Sequence, residues 1–399
     1  MKLLWASTNF LHPTTKGGQI RTLEMLKRLH RRHQIHYVAI EDPAQPEGPA
    51  RSREYSTRSY PFRHSVPGKN SIAFLGQLAA GLFSRMPLAI SRFSSPALGK
   101  FIESLLEREG FDRAVVDFLA PTSYYPALER AVLFQHNVET MIWRRHAEHA
   151  PDQFRKLYFR LQAKRMFDYE RRMCRRAGHI VAVSTADAET MRRLFGVTRI
   201  SEIPTGVDLD YFAPPASPPK VADLVFVGSM DWLPNVDGVL HFVREALPLI
   251  RRRRPECTLA IVGRTPPSKI SGLARQDPRI LVTGTVPDIR PHLWGSSVSI
   301  VPLRIGGGTR LKIYESMAAR VPVVSTSVGA EGLSVSPPEN IRIADQPEGF
   351  AAQCLELLED PSARERLGAA AWELVSARFS WEEVARSFER ILEAAPAAS

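Results

Sequence analysis

Residues Ile300 to Ala330 read IVPLRIGGGTRLKIYESMAARVPVVSTSVGA. An apolar strand, Val298 to Leu303, runs into three consecutive glycines, Gly306, Gly307 and Gly308. Thr309, Arg310 and Lys312 follow at once, and a helix then carries Glu315 on its first turns. A second apolar strand, Val321 to Ser325, precedes another glycine turn at Gly329. Strand, glycine loop, helix and strand in that order make the βαβ unit of a parallel sheet.

The chemistry of the loop points to a ligand. Glycines let backbone N–H groups approach a bound group closely, and a helix N-terminus adds about half a positive charge. Arg310 offers a planar fork suited to phosphate, and Lys312 a mobile point charge. Glu315 lies too far into the helix to cap it, which leaves its carboxylate for sugar or ribose hydroxyls. Together these groups read as a pocket for a nucleotide diphosphate; the plainer reading is a glycine-rich turn with a solvated basic face.

At 399 residues the chain is too long for one ordinary core and points to two domains. Charged residues at 24% and hydrophobic ones at 44% are those of a soluble globular protein. Cys174, Cys257 and Cys354 are far apart and lack metal-ligand spacing, so they read as reduced core thiols of a cytosolic protein without a structural metal. The opening MKLLWASTNF is too short for a signal peptide and reads as a buried strand. No stretch reaches the ~18 apolar residues of a spanning helix; the nearest, Ser71 to Ser84, reads as a buried helix, with a segment lying in a membrane interface as the alternative.

The net charge of +11 is unevenly spread. Residues 1–200 hold 32 Lys/Arg against 18 Asp/Glu, whereas the remainder holds 21 against 24. Arg144 to Arg176 alone has 11 basic and 4 acidic residues. A basic half suits an anionic partner such as nucleic acid, an acidic polysaccharide or an anionic lipid surface.

In chain order, Lys2 to Ala6 reads as the first strand, and Gly17 and Gly18 open a helix running to about His33. Ile35 to Ile40 is the next strand, which places a second backbone-donor site at a strand's C-terminal end. Residues 41–70 read as an irregular excursion. A helix near Pro96 to Glu109 and a strand near Arg113 to Phe118 follow. The strand Ala131 to Gln135 exits into His136, Asn137, Val138 and Glu139, which makes His136 a candidate site residue. Trp143 to Ala177 reads as one long basic helical stretch, with a solvated face as the plain reading and docking to an anionic surface as the alternative.

Thr205 to Lys220, TGVDLDYFAPPASPPK, reads as a proline-rich linker. Its Asp208 and Asp210 have no third oxygen ligand nearby and carry no metal reading. The second half then restarts the alternation. Strands end in Gly228-Ser229 and in Gly263, a helix spans about Asn235 to Arg252, and Gly284-Thr285-Val286 precedes the unit around Ile300. The expected division is residues 1–204, a linker at 205–220 and a second domain at 221–380, with a closing helix at 381–396.

These residues resemble the retaining family 4 glycosyltransferases of the GT-B fold, an α/β architecture of two Rossmann-like domains facing across a cleft. The resemblance covers nearly the whole chain and is strongest at Leu224–Gly228, Ala260–Gly263, Gly284–Asp288 and Pro302–Gly332. The runs PLRIGGGTR and VGAEGL are similar to those of bacterial exopolysaccharide-cluster sugar transferases. By that resemblance the first domain takes the acceptor, the second takes the nucleotide sugar, and the closing helix crosses back onto the first.

Glu315 matches the second glutamate of the family's E-x7-E signature, which holds the donor ribose. The first would fall at Gly307, so this chain departs from the pattern, and the N–H groups of Gly307 and Gly308 are the candidates to replace it. The family's Arg and Lys pair after the fifth strand is also missing, with Ser229 and Asn235 in that region. Arg310 and Lys312 are then the candidates to neutralise the diphosphate. Gly228, Ser229, Gly263, Thr309 and the three glycines fall on the donor side, and Val286 matches the loop that contacts the nucleobase. Gly17, Gly18, Asn137 and Glu139 fall on the acceptor side, with His136 beside them.

The resemblance implies transfer of a sugar from a nucleoside diphosphate sugar to a glycan or lipid-linked acceptor, with retention and without a cofactor or divalent ion. Cysteine usage and the basic first half point to a cytoplasmic location, at the inner membrane face where the basic domain meets anionic lipid. A dehydrogenase lacks its GxGxxG here, and a P-loop lacks its GxxxxGK[ST]. A nucleotide-sugar epimerase of the same fold and a non-catalytic saccharide-binding module stay open as alternatives. Nucleic acid is not expected, since the interleaved aromatics of a base-stacking surface are missing.

Overall fold

The computed structural model describes residues 1–14, 17–64, 66, 84–148, 152–305 and 311–398. The chain divides into two units, Met1–Pro204 with Val384–Ser399, and Thr205–Glu383. Each is a parallel sheet covered by helices.

The first unit holds β1 (Lys2–Ala6), β2 (Gln34–Glu41), β3 (Arg58–Arg63), β4 (Arg113–Asp117), β5 (Val132–Gln135), β6 (His179–Ala182) and β7 (Ile200–Glu202). Their order is β3-β2-β1-β4-β5-β6-β7. Leu3, Leu4, Trp5 and Ala6 have no exposed surface, as expected of a strand covered on both faces. From β1 the chain winds outward through β2 and β3, then returns to the other side of β1 as β4. That reversal makes a switch point between β1 and β4, where open α/β sheets bind ligands beyond the strand ends. The helices that matter below are α1 (Gly17–Leu29), α2 (Pro96–Glu109), α3 (Glu139–Glu148), α4 (Gln153–Arg176) and α5 (Thr185–Phe195).

Two readings change here. Residues 41–70 contain β3, which pairs with β2 at the edge of the sheet. Its sequence RSYPFR concealed it, because an edge strand tolerates Pro61 and exposed charged residues such as Arg58 and Arg63. The long basic stretch is two helices rather than one: Asp152 caps α4 by accepting a hydrogen bond from the Arg155 N–H at 2.8 Å. The apolar segment Ser71 to Ser84 lies, apart from Ser84, outside the described residues. Among the described residues no helix is long and apolar enough to cross a membrane.

The second unit holds β8 (Ala222–Val227), β9 (Leu259–Val262), β10 (Ile280–Gly284), β11 (Ser296–Val301), β12 (Val323–Ser325) and β13 (Arg342–Ile343), ordered β10-β9-β8-β11-β12-β13. Its switch point lies between β8 and β11. The helix expected over Asn235 to Arg252 is α6 (Leu233–His241), a π turn at Phe242–Ala246, and α7 (Leu247–Arg253). Pro248 sits on the first turn of α7, where its missing N–H forbids an unbroken α ladder. Farther on come α8 (Leu311–Ala318), α9 (Pro347–Glu359), α10 (Pro361–Arg378) and α11 (Trp381–Ala394).

The proline-rich stretch expected as a linker is packed into this unit. Val207 N–H donates to Phe379 O at 2.7 Å, and Asp208 caps the short helix Leu209–Phe212 through the Tyr211 N–H at 2.9 Å. Phe212 is buried in the core, which holds the stretch down despite its prolines. The end of α11 belongs to the first unit. Phe388 packs 5.7 Å from Trp5 and 5.2 Å from Phe134, and Glu389 meets His33 at 2.6 Å and Arg32 at 3.0 Å.

Candidate functional site

At the switch point of the first unit, side chains from three strand exits and one helix converge. His136 is the first residue after β5, Asp117 the last of β4, and Ser7 the first after β1. His136 Nε2 lies 2.7 Å from Asp117 Oδ1, while Arg21 Nη1 of α1 lies 3.3 Å from His136 Nδ1. Thr22 Oγ1 donates to Asp117 Oδ2 at 3.1 Å. A guanidinium only donates, so Nδ1 is the acceptor and the ring proton sits on Nε2, facing Asp117. His136 is therefore a neutral imidazole with both nitrogens engaged. Burial lowers its pKa and outweighs the opposing pull of Asp117; Arg21 pushes the same way as burial.

The surroundings hold this ring in place. Phe118 stacks on His136 with centroids 3.8 Å apart, and its backbone adopts a left-handed φ of 72° to do so. A Cβ on Gly18 would come within 2.5 Å of the Phe118 ring, so any side chain there would have to displace the ring that stacks on His136. Gly17 is exposed at the start of α1. Asn137 and Glu139 continue from His136 into α3, and burial raises the pKa of Glu139. Beneath them Glu170 accepts from the N–H groups of Glu139 at 2.9 Å and Thr140 at 2.8 Å, capping α3 from a different helix. Burial lifts Glu170 to about 7. Arg21 is also buried, and desolvation lowers it to about 10.

In the second unit the exits of β8 and β9 meet α8. Lys312 Nζ donates to Asn235 Oδ1 at 2.8 Å and lies 4.4 Å over the Phe226 ring. Asn235 Nδ2 donates to Ser229 O at 2.7 Å, which ties Lys312 to the turn after β8. A Cβ on Gly228 would stand 2.7 Å from Lys312 Nζ, and one on Gly263 only 1.8 Å from Gly228 O. Backbone and cation thus approach closely because neither glycine has a side chain. Arg264 adds a guanidinium, its Nε donating to Ser229 Oγ at 2.7 Å.

One helical turn after Lys312 stands Glu315. Part of the residue reaches the surface. Burial around its carboxyl nevertheless raises the pKa to about 7, against the opposing effect of Lys312. Among the described residues the carboxyl makes no hydrogen bond, unlike the capped carboxylates elsewhere in the unit. Val286 packs against the core in the loop after β10, two strands from β8 in the same sheet. Gly306, Gly307, Gly308, Thr309 and Arg310 lie outside the described residues. Sequence reading missed Asp117, Arg21, Thr22 and Arg264; only Asp117, a lone acid closing the apolar run RAVVD, left a signal in the chain.

Two family models match these regions: Glycosyltransferase Family 4 over residues 15–211, and Glycosyl transferases group 1 over residues 222–360. The chain belongs to this glycosyltransferase family. A GDP-mannose-dependent monoacylated phosphatidylinositol monomannoside mannosyltransferase of Corynebacterium glutamicum is 27% identical over 255 residues, 58% of this chain and 67% of that one. Matches to this glycosyltransferase span 44% to 67% of the curated relatives' lengths. Among solved structures, sucrose-phosphate synthase from Thermosynechococcus elongatus superposes with TM-score 0.69 at 17% identity, covering 99% of this chain and 98% of that one. Anabaena HepE in complex with UDP gives TM-score 0.69 at 15% identity, covering 99% and 100%. Such likenesses establish the fold of this glycosyltransferase as GT-B.

Proposed function

We propose that this protein transfers a sugar, with retention, from a nucleoside diphosphate sugar to a glycan or lipid-linked acceptor in exopolysaccharide or cell-surface polysaccharide synthesis. The observation that carries the reading is the placement on α8 of a held ammonium, Lys312, one turn from Glu315, whose carboxyl makes no hydrogen bond among the described residues, beside the glycine exits of β8 and β9. A nucleoside diphosphate presents the complementary groups, a charged diphosphate and ribose hydroxyls. The UDP complex of HepE supports a nucleotide donor. The lipid acceptor named for the Corynebacterium relative supports a lipid-linked acceptor, and the PLRIGGGTR and VGAEGL runs support the polysaccharide setting.

As the glycosidic bond breaks, negative charge accumulates on the leaving diphosphate. Lys312, fixed by Asn235 and joined by Arg310, stabilises that charge, so the reaction runs without a divalent ion. Glu315 in its ionised form accepts from the ribose hydroxyls. His136 contributes a fixed neutral imidazole on the acceptor side. The basic first unit lies at the inner face of the cytoplasmic membrane.

Calorimetric titration with UDP, GDP and ADP in the presence of a chelator tests this reading. One nucleotide is expected to bind, and its sugar derivative is then offered to a panel of lipid-linked acceptors. Binding of none of the three would refute a nucleotide-sugar donor. Release of free sugar without an acceptor would favour the epimerase.

A further inference from the structure

The first turns of α4 present an apolar stripe to solvent. Phe154 is 89% exposed, Leu157 68% and Leu161 37%, and their i, i+3, i+7 spacing aligns them along one face. Core packing does not account for the stripe, because the buried face of α4 runs through Gln162, Met166, Tyr169 and Met173. Alongside it, Lys156, Arg160 and Lys164 form the adjacent ridge at i, i+4 and i+8. With Arg144 of α3 they line a cavity of about 570 Å³ that also includes Glu148 and Phe167. Arg144 lies 5.6 Å over the Phe167 ring, and Lys164 pairs with Asp168 at 2.9 Å in an exposed contact that costs little to break.

We infer that this face docks the first unit on an anionic lipid bilayer. Phe154, Leu157 and Leu161 enter the boundary between headgroups and acyl chains, and the four cations around the cavity hold lipid phosphates. Bulky apolar side chains flanked by Lys and Arg are what an interfacial helix uses: apolar burial anchors it and anionic lipid selects it. A second copy of the chain is a poorer occupant. Three apolar side chains fall well short of the ~800 Å² per partner of a stable protein interface, and two such faces would bring like charges together. This inference rests on the membrane-side part of the proposed function and is independent of sugar transfer.

The test is co-sedimentation of the full chain with vesicles of phosphatidylcholine alone and of phosphatidylcholine mixed with phosphatidylglycerol, at low and at raised salt. The native protein is expected to prefer the anionic vesicles and to be released by salt. Phe154→Ser with Leu157→Ser, and separately Arg160→Glu with Lys164→Glu, are each expected to weaken anionic-vesicle binding about tenfold or more. Should the serine pair unfold, the corresponding alanine pair takes its place. Equal binding to both vesicle types, no binding to either, or native binding by either double variant overturns the inference. A concentration-dependent dimer that the apolar pair abolishes, without vesicle binding, would do the same. Nucleotide titration of the same variants is expected to match the native protein, so failure of the donor reading and failure of this one are told apart.

Discussion

Lys312 and Asn235 are joined by a 2.8 Å hydrogen bond from the ammonium to the amide oxygen, and the amide nitrogen passes the constraint to the Ser229 carbonyl at 2.7 Å. A flexible side chain is thereby held in one place before any ligand arrives. Lys312→Ala is expected to weaken nucleoside diphosphate binding by about 1.5–3 kcal/mol, the range for a hydrogen bond to a charged group. Calorimetry on native and variant protein measures the difference, and unchanged affinity would remove Lys312 from the donor site.

Glu315 gives a pH dependence of defined sign. Its pKa in the folded protein is raised to about 7, and the ionised carboxylate accepts from hydroxyls much more strongly than the protonated acid. Nucleotide affinity is therefore expected to rise with pH, by about tenfold between pH 6 and pH 8 from this group alone. The ligand's own phosphate titration is common to native protein and Glu315→Gln. The ratio of their affinities isolates the carboxyl, and a ratio that stays constant across this range contradicts its role.

Asp117 has no exposed surface and holds His136 by Nε2. Asp117→Asn keeps the shape but removes the charge that faces the buried Arg21. We expect a loss of about 1.5–3 kcal/mol in unfolding free energy, measured by denaturant titration. Substitution of an exposed acid such as Glu148 should leave stability within about 0.5 kcal/mol and serves as the control.

Gly263→Ala tests the close approach of two strand exits. The added Cβ would meet Gly228 O at 1.8 Å, and a backbone oxygen cannot swing aside as a side chain can. A destabilisation of about 1–3 kcal/mol or more is expected, together with weaker nucleotide binding because the turn carrying Ser229 is displaced. Gly272→Ala, where the nearest atom is a flexible guanidinium nitrogen at 3.7 Å, should be tolerated.

Much of this was legible in the chain because local chemistry wrote it there. Apolar runs ending in Gly228, Gly263 and His136 announced buried parallel strands and their exits, and a β, glycine, α, β order allows few topologies. Features that obey no period were harder to read. Edge strand β3 carries a proline and charges, α3 and α4 share one basic composition across a break, and Pro248 turns one expected helix into two with a π turn between them.

By itself the sequence determined that two α/β units follow one another, that the first is basic, and that glycines stand at the strand exits. Tertiary structure alone decided that Arg21 meets His136 across 115 positions and Thr22 meets Asp117 across 95. Such contacts follow from strand order and register, and hydrophobic periodicity records only whether a residue faces inward. It cannot name the residue on the other side.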